Sequence, residues 1–242
     1  MGANEIEAPD TNISYADAIQ YWTGVPATVD GVLGGFGHTT LPKTDVKGSI
    51  TFIKRVSRLY PEFEESGKKF GTRGCDVGAG IGRVTRDVLS KFCSKVDLVE
   101  PVVPFANQIS TELERKNLLD RLGNVHQIGM QDFSPEPGKY WFIWCQWCLG
   151  QLKDAHLVNF LERCKTGLQK DGLIFVKENN TSTLMDEFDS TDSSVTRADL
   201  SFRRIFDEAG FELLQVEIQQ GLPHGLYPVR SYALRPKKDK NL

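Results

Sequence analysis

The chain has 242 residues, 40% hydrophobic and 25% charged, with a formal net charge of −3. That balance suits one soluble globular domain and excludes a broad nucleic-acid surface, and no apolar run is long enough to span a bilayer. The five cysteines are odd in number and sit mostly in apolar runs, so they read as reduced thiols. With the polar, acidic start MGANEIEAPDTNIS, the expectation is a cytoplasmic protein, or a nuclear one as well, without a leader.

In chain order, residues 1–12 and 237–242 are expected to be flexible. Ser14 followed by Asp17 reads as a helix start, and that helix should stop near Gly24 and Pro26. A glycine-dense loop follows, ATVDGVLGGFGHTT. Its apolar Val32, Leu33 and Phe36 suggest a segment that closes over a ligand, whereas His38 reads as a surface group. Asp45 is expected to cap a second helix, on which Ile50, Ile53, Val56 and Tyr60 share one face.

From residue 72 the pattern alternates. Strands are expected at 73–77, 95–100, 124–128, 140–146 and 172–177, and helices at 82–92, 104–116, 155–169 and 199–209. Strands at 211–218 and 229–234 close the chain with no helix between them, so one should run antiparallel. The fold class this implies is α/β, a doubly wound, mostly parallel Rossmann-like sheet. The single domain divides into an N-terminal helical cap with a loop, 14–60, and a core, 72–235.

The motif that carries chemistry is CDVGAGIGRVTRDVL at 75–89, where a strand end meets glycines 78, 80 and 82 and then a helix. A dinucleotide fingerprint needs its third glycine at position 83, which is Arg. S-adenosyl-L-methionine has an amino-acid tail instead of a pyrophosphate. Gly78 and Gly80 would let that tail approach the backbone, and Arg83 offers its carboxylate a planar fork. Glu100, 22 residues after Gly78, can accept from two ribose hydroxyls. Gly129, Met130, Gln131 and Asp132 follow the third strand, where an adenine edge would sit.

Several longer stretches resemble the eukaryotic protein N-terminal methyltransferases, and in particular their fungal branch. They are YWTGVPATVDGVLGGFG, GAGIGRV, LVEP, MQDFSPEPGKYWFIWCQW, KENN, TDSSVTR and GLYPVRSYALRP. The resemblance covers about residues 15–236. It implies a class I S-adenosylmethionine-dependent methyltransferase sheet of seven strands with two extra N-terminal helices. It also implies methylation of the α-amine of proteins that begin Xaa-Pro-Lys, ribosomal proteins among them, by a monomer that binds no nucleic acid or membrane. By position, Gly78, Arg83, Glu100, Met130, Gln131 and Gln146 would contact the cofactor. Leu33, Gly34, Trp147, Asn179, Asp189, Asp192, Ser194, Leu226 and Tyr227 would line the peptide channel.

Methyl transfer to an amine needs in-line positioning and a neutral nitrogen. An α-amine of pKa about 7.7–8.0 is partly neutral near pH 7. The acidic stretch MDEFDSTDSSV, with Asp186, Glu187, Asp189 and Asp192, suits a basic peptide, although such a run is also the composition of a solvated loop. A small-molecule amine methyltransferase and a non-catalytic reader of cofactor or N-termini are the alternative functions. Cys145 and Cys148 form a C-x-x-C without a second ligand pair at zinc spacing, and it does not open a helix as a thioredoxin-like site would. Both read as small core residues. Where the family usually has histidine in a Gly-His-Leu, this chain has Gln151. Glutamine can orient a group but is no base at neutral pH, so Asp192, with Asn179 and Gln151 beside it, is expected to take the proton.

Overall fold

A computed structural model describes residues 8–238. The expected flexible ends lie partly outside that range. Within it, Pro9–Asn12 forms a 3₁₀ turn, and Asp10 accepts the Asp154 backbone N–H at 2.8 Å.

Four helices precede the sheet. They are α1 (Tyr15–Gly24), α2 (Val29–Val32), α3 (Leu41–Leu59) and α4 (Pro61–Phe70). Ser14 caps α1 as expected, its hydroxyl accepting from the Asp17 N–H. The glycine-dense segment is not a plain loop. Thr28 caps the single turn of α2, and Asp30 then accepts from the Gly37 N–H at 2.8 Å, folding the segment back on itself. A Cβ at Gly37 would sit 2.4 Å from the Asp30 Cα, so this fold-back requires glycine.

Asp45 does not cap α3. The helix begins four residues earlier, with Pro42 in its first turn and the Leu41 N–H bonded to Thr39 Oγ1. Asp45 therefore lies inside the helix, on the buried stripe Leu41, Asp45, Ser49, Phe52, Ile53 and Val56.

The core alternates as expected. In order come β1 (Arg73–Val77), α5 (Arg83–Asp87), β2 (Lys95–Val99), α6 (Val103–Glu114), β3 (Leu122–His126), β4 (Tyr140–Gln146) and α7 (Asp154–Gly167). Then follow β5 (Leu168–Asn179), β6 (Glu187–Asp189), β7 (Ser194–Thr196), α8 (Asp199–Glu208), β8 (Phe211–Ile218) and β9 (Val229–Pro236). The helix expected over 82–92 is shorter. It ends at Asp87, and a 3₁₀ turn at Leu89–Lys91 takes over after Val88 leaves the helical region at φ −121° and ψ −65°.

The seven-stranded sheet runs β3-β2-β1-β4-β5-β9-β8, with β9 antiparallel to both its neighbours, and β6 and β7 form a separate hairpin. All seven residues of β4 are buried, as a central parallel strand covered on both faces requires. Strand alternation sends Phe142 and Trp144 toward Phe52, Phe63 and Phe175, while Ile143 and Cys145 enter the core on the other face. Strand order reverses between β1 and β4, and a parallel sheet holds ligands beyond the carboxyl ends of such a pair.

Candidate active site

At that reversal the chain turns sharply after both strands. Beyond β1, glycines 78, 80 and 82 have φ of 65°, 55° and 79°. A Cβ on Gly78 would lie 2.3 Å from the Cys148 Cβ, so the turn needs glycine both for its dihedral and for the close passage of the segment beyond β4. Beyond β4, Trp147 itself takes φ 54°, a left-handed conformation that costs a non-glycine residue of order 1–3 kcal/mol. The Trp147 N–H is held by the Lys177 carbonyl at 3.0 Å, and Glu178 Oε1 accepts the next two backbone N–H groups, of Cys148 and Leu149, both at 2.8 Å.

Two pockets open here. One, with about 1010 Å³ of empty space, is lined by Gly78, Gly80, Arg83, Glu100, Met130, Gln131 and Gln146 among others, so the sequence-expected cofactor residues come together. The other, about 1230 Å³, collects Leu33, Gly34, Trp147, Asn179, Asp192, Ser194, Leu226 and Tyr227. Trp22, Val32, Trp147 and Gln151 line both and form the wall between them. Asp189 lies on the exposed β6 edge, outside the pocket lining, and accepts the Thr191 N–H. Asp132 is exposed and bonded to the Gln131 amide, so it does not face the first pocket.

The first pocket is held rigidly. Glu100 accepts from the Gly80 N–H at 2.6 Å and the Val102 N–H at 2.8 Å. Burial nevertheless pushes its carboxyl up to about 7. Arg163 on α7 bonds the carbonyls of Met130, Gln131 and Phe133 and so fixes the loop after β3. Gln146 borders the pocket with its amide already engaged, its oxygen accepting from Trp144 Nε1 and its nitrogen donating to Asp45 Oδ1 at 2.9 Å. Arg83 likewise pairs with Asp45, Nη1 to Oδ2 at 2.7 Å, and its guanidinium lies 5.6 Å from the centre of the Trp147 ring.

The second pocket is acidic. Glu178 and Asp192 line it, and no Lys, Arg or His does among the described residues. Gln151 Nε2 and Ser194 Oγ donate to the two oxygens of Asp192 at 3.0 and 2.6 Å. Burial raises the Asp192 carboxyl above its usual value, partly offset by the bond from Ser194. Two buried polar atoms on the shared wall, Trp147 Nε1 and Gln151 Oε1, have no partner among the described residues. A buried donor and a buried acceptor without partners are each costly unless a ligand completes them. The remaining acids divide by task. Asp186 accepts from the Ala198 N–H and Ser201 Oγ at the start of α8, while Glu187 accepts from Tyr227 Oη at 2.8 Å.

Cys145 and Cys148 are buried, and Cys148 Sγ lies 3.2 Å from the Val77 carbonyl, consistent with small core residues. Asp45, Lys177, Glu178 and Arg163 are site residues that the sequence reading did not single out. Only Asp45 carried a local signal, since it continues the buried stripe of α3 at four-residue spacing between Leu41 and Ser49.

A family model described as AdoMet dependent proline di-methyltransferase matches residues 10–235. The chain belongs to that family. It is 45% identical over 222 residues to the alpha N-terminal protein methyltransferase 1 of Schizosaccharomyces pombe, covering 92% of this chain and 96% of that one. It is 41% identical to the human N-terminal Xaa-Pro-Lys N-methyltransferase 1, covering 91% and 95%. Among solved structures, a SAM-dependent methyltransferase of Leishmania major superposes with a TM-score of 0.80 at 35% identity, over 91% of this chain and 82% of that one. The protein is thus an S-adenosylmethionine-dependent methyltransferase with a Rossmann-like sheet. The first pocket fits that cofactor, since its lining combines a guanidinium, a buried carboxyl held by backbone N–H groups and glycine backbone. Among the described residues no helix is long and apolar enough to cross a membrane.

Proposed function

We propose that this enzyme methylates the α-amino group of proteins that expose an N-terminal Xaa-Pro-Lys, ribosomal proteins being one such class, as a cytoplasmic monomer. The observation that carries the reading is the shared wall. The unpartnered donor Trp147 Nε1 and the unpartnered acceptor Gln151 Oε1 belong to residues on the wall where the two pockets meet, and Gln151 also donates to the carboxylate of Asp192. A peptide N-terminus supplies the complements, an amine to donate and a carbonyl to accept.

Bound S-adenosylmethionine supplies an electrophilic methyl group on a sulfonium. Arg83 takes the carboxylate of its tail and Glu100 its ribose hydroxyls, with Gly78, Gly80, Met130, Gln131 and Gln146 closing around it. On the other side Trp147 packs on the second-residue proline, and Asn179 and Gln151 orient the amine. Asp192 accepts the proton that the amine must lose. Leu33, Gly34, Leu226 and Tyr227 wall the channel and exclude water. Asp189 and Glu187 present an acidic edge to the third-residue lysine, with Ser194 beside them. That edge is already negative when the channel is empty, which favours a cationic peptide.

The test is incubation of the purified protein with cofactor and an Ala-Pro-Lys or Pro-Pro-Lys peptide, followed by fragmentation mass spectrometry. Successive methyl additions on the α-nitrogen are expected. Modification of the lysine ε-amine alone, or no modification, overturns the reading.

A further inference from the structure

Behind the wall of the cofactor pocket lies a buried ionic cluster that reaches outside the Rossmann-like core. Its centre is Asp45, on the N-terminal helix α3. Asp45 Oδ2 accepts from Arg83 Nη1 at 2.7 Å, and Oδ1 accepts from Gln146 Nε2 at 2.9 Å and forms an ion pair with Lys177 Nζ at 2.6 Å. Lys177 is fully buried and also donates to the Asp45 carbonyl, to Ser49 Oγ and to Gln219 Oε1, each at 3.0–3.1 Å. The cluster follows from register. Gln146 on β4 and Lys177 on β5 are direct neighbours in the sheet, and alternation puts both on the face that α3 covers.

Arg83 and Gln146 line the cofactor pocket, whereas Asp45 and Lys177 stand behind them. Arg83 donates to no group except Asp45 among the described residues, so the rest of its fork is left toward the pocket. Asp45 is flanked by two basic side chains, Arg83 and Lys177, where all three are nearly inaccessible, and burial pulls the Lys177 ammonium below its usual value while Asp45 acts against that. A buried guanidinium is costly unless its donors are paired, and the free part of the Arg83 fork can pair with a carboxylate in the pocket. Burial acts against ionisation of Asp45, yet Arg83 and Lys177 hold its carboxyl below the usual value, so it stays charged.

We infer that Asp45 and Lys177 are positioning residues for the cofactor's amino-acid tail: Asp45 orients Arg83 and Gln146 toward it, and Lys177, which contacts both the carbonyl and the carboxylate of Asp45, holds Asp45 in place. Neither touches the cofactor. Both act through groups that do, as preorganised binding requires. The N-terminal helical cap is thereby part of the cofactor site as well as the peptide channel.

The inference rests on the first pocket holding S-adenosylmethionine or its product. Calorimetry with S-adenosylhomocysteine and with 5′-methylthioadenosine, which lacks the amino-acid tail, separates the two questions. If the wild-type protein binds neither ligand, the pocket assignment fails. With wild-type binding in place, Asp45→Asn and Lys177→Met are each expected to weaken S-adenosylhomocysteine at least tenfold, while 5′-methylthioadenosine changes less than twofold. Equal weakening of both ligands, an unchanged ratio, or tighter S-adenosylhomocysteine binding by Asp45→Asn overturns the inference. If Asp45→Asn does not fold, Lys177→Met decides alone. Loss of cooperative folding in both variants assigns the pair to stability and overturns it too.

Discussion

Gln151 Nε2 donates to Asp192 Oδ2 at 3.0 Å, and so the glutamine that stands where the resemblance implies a histidine is tied to the carboxylate expected to act as base. Its amide oxygen is buried without a partner among the described residues. Asp192→Asn should therefore cost about 10²-fold or more in kcat with an Ala-Pro-Lys peptide, the usual contribution of a positioned base. Gln151→Ala should cost about tenfold, as one charge-assisted hydrogen bond lost. Steady-state kinetics that gave full activity to Asp192→Asn and none to Gln151→Ala would reverse the assignment.

The same bond predicts a pH effect. Burial raises the Asp192 carboxyl, and donation from Ser194 and Gln151 holds the rise in check. A raised carboxyl is protonated at higher pH, and a protonated Asp192 cannot accept the amine proton. Gln151→Leu removes one of the two donors, so the acid limb of the kcat–pH profile should move to higher pH. An unmoved or lowered limb would show that another group sets it.

Three buried carboxyls predict how stability depends on pH. Burial pushes Glu100 and Glu178 up to about 7 and Asp76 to about 6, each above its unfolded value. Between the unfolded and folded values the native state holds more protons than the unfolded chain. Stability therefore falls as pH rises through roughly 4.5 to 7. Asp45 and Asp97 lie lower than usual and act at more acid pH, with the opposite sign. Denaturant titrations of the ligand-free protein should show this decline, and Glu178→Gln should flatten it. A Glu178→Gln profile parallel to that of wild type would contradict it.

Gly78→Ala places a Cβ 2.3 Å from that of Cys148, at φ 65°. A loss of about 1–3 kcal/mol of stability is expected from the strained backbone alone. Binding of S-adenosylhomocysteine should fall with it, because the Cys148 segment must shift. Thermal denaturation together with calorimetry checks both.

Asp189 is exposed, and its effect on a substrate lysine is screened by water. Asp189→Asn should raise KM for an Ala-Pro-Lys peptide by about two- to fivefold at low salt, with kcat unchanged, and the difference should shrink at high salt. A change in kcat would place Asp189 at the amine instead.

Much of the architecture was legible because it rests on local patterns. The apolar run of β4, the alternation from residue 72, the glycines at 78, 80 and 82 and the helix-free pair at the end each carry their meaning within a few residues. Helix α4 has no legible apolar stripe because half of PEFEESGKKF is charged. Phe63 is its one large buried apolar side chain, and Gly67 lets Trp141 pack against its backbone. Strands β6 and β7 have three residues each, too few for a period of two to register.

The sequence by itself determined the order of the elements, the cofactor turn and the family, since these depend on neighbours in the chain and on quoted motifs. It also placed most of the pocket residues, from Arg83 and Glu100 to Trp147 and Asp192. Only the tertiary structure decided the work of Asp45. In sequence it is an acid near a helix start; in the fold it joins Arg83, Gln146 and Lys177, the last 132 residues away. Such a contact depends on which face of α3 meets which strands, and no local pattern encodes an ionic cluster assembled across the sheet.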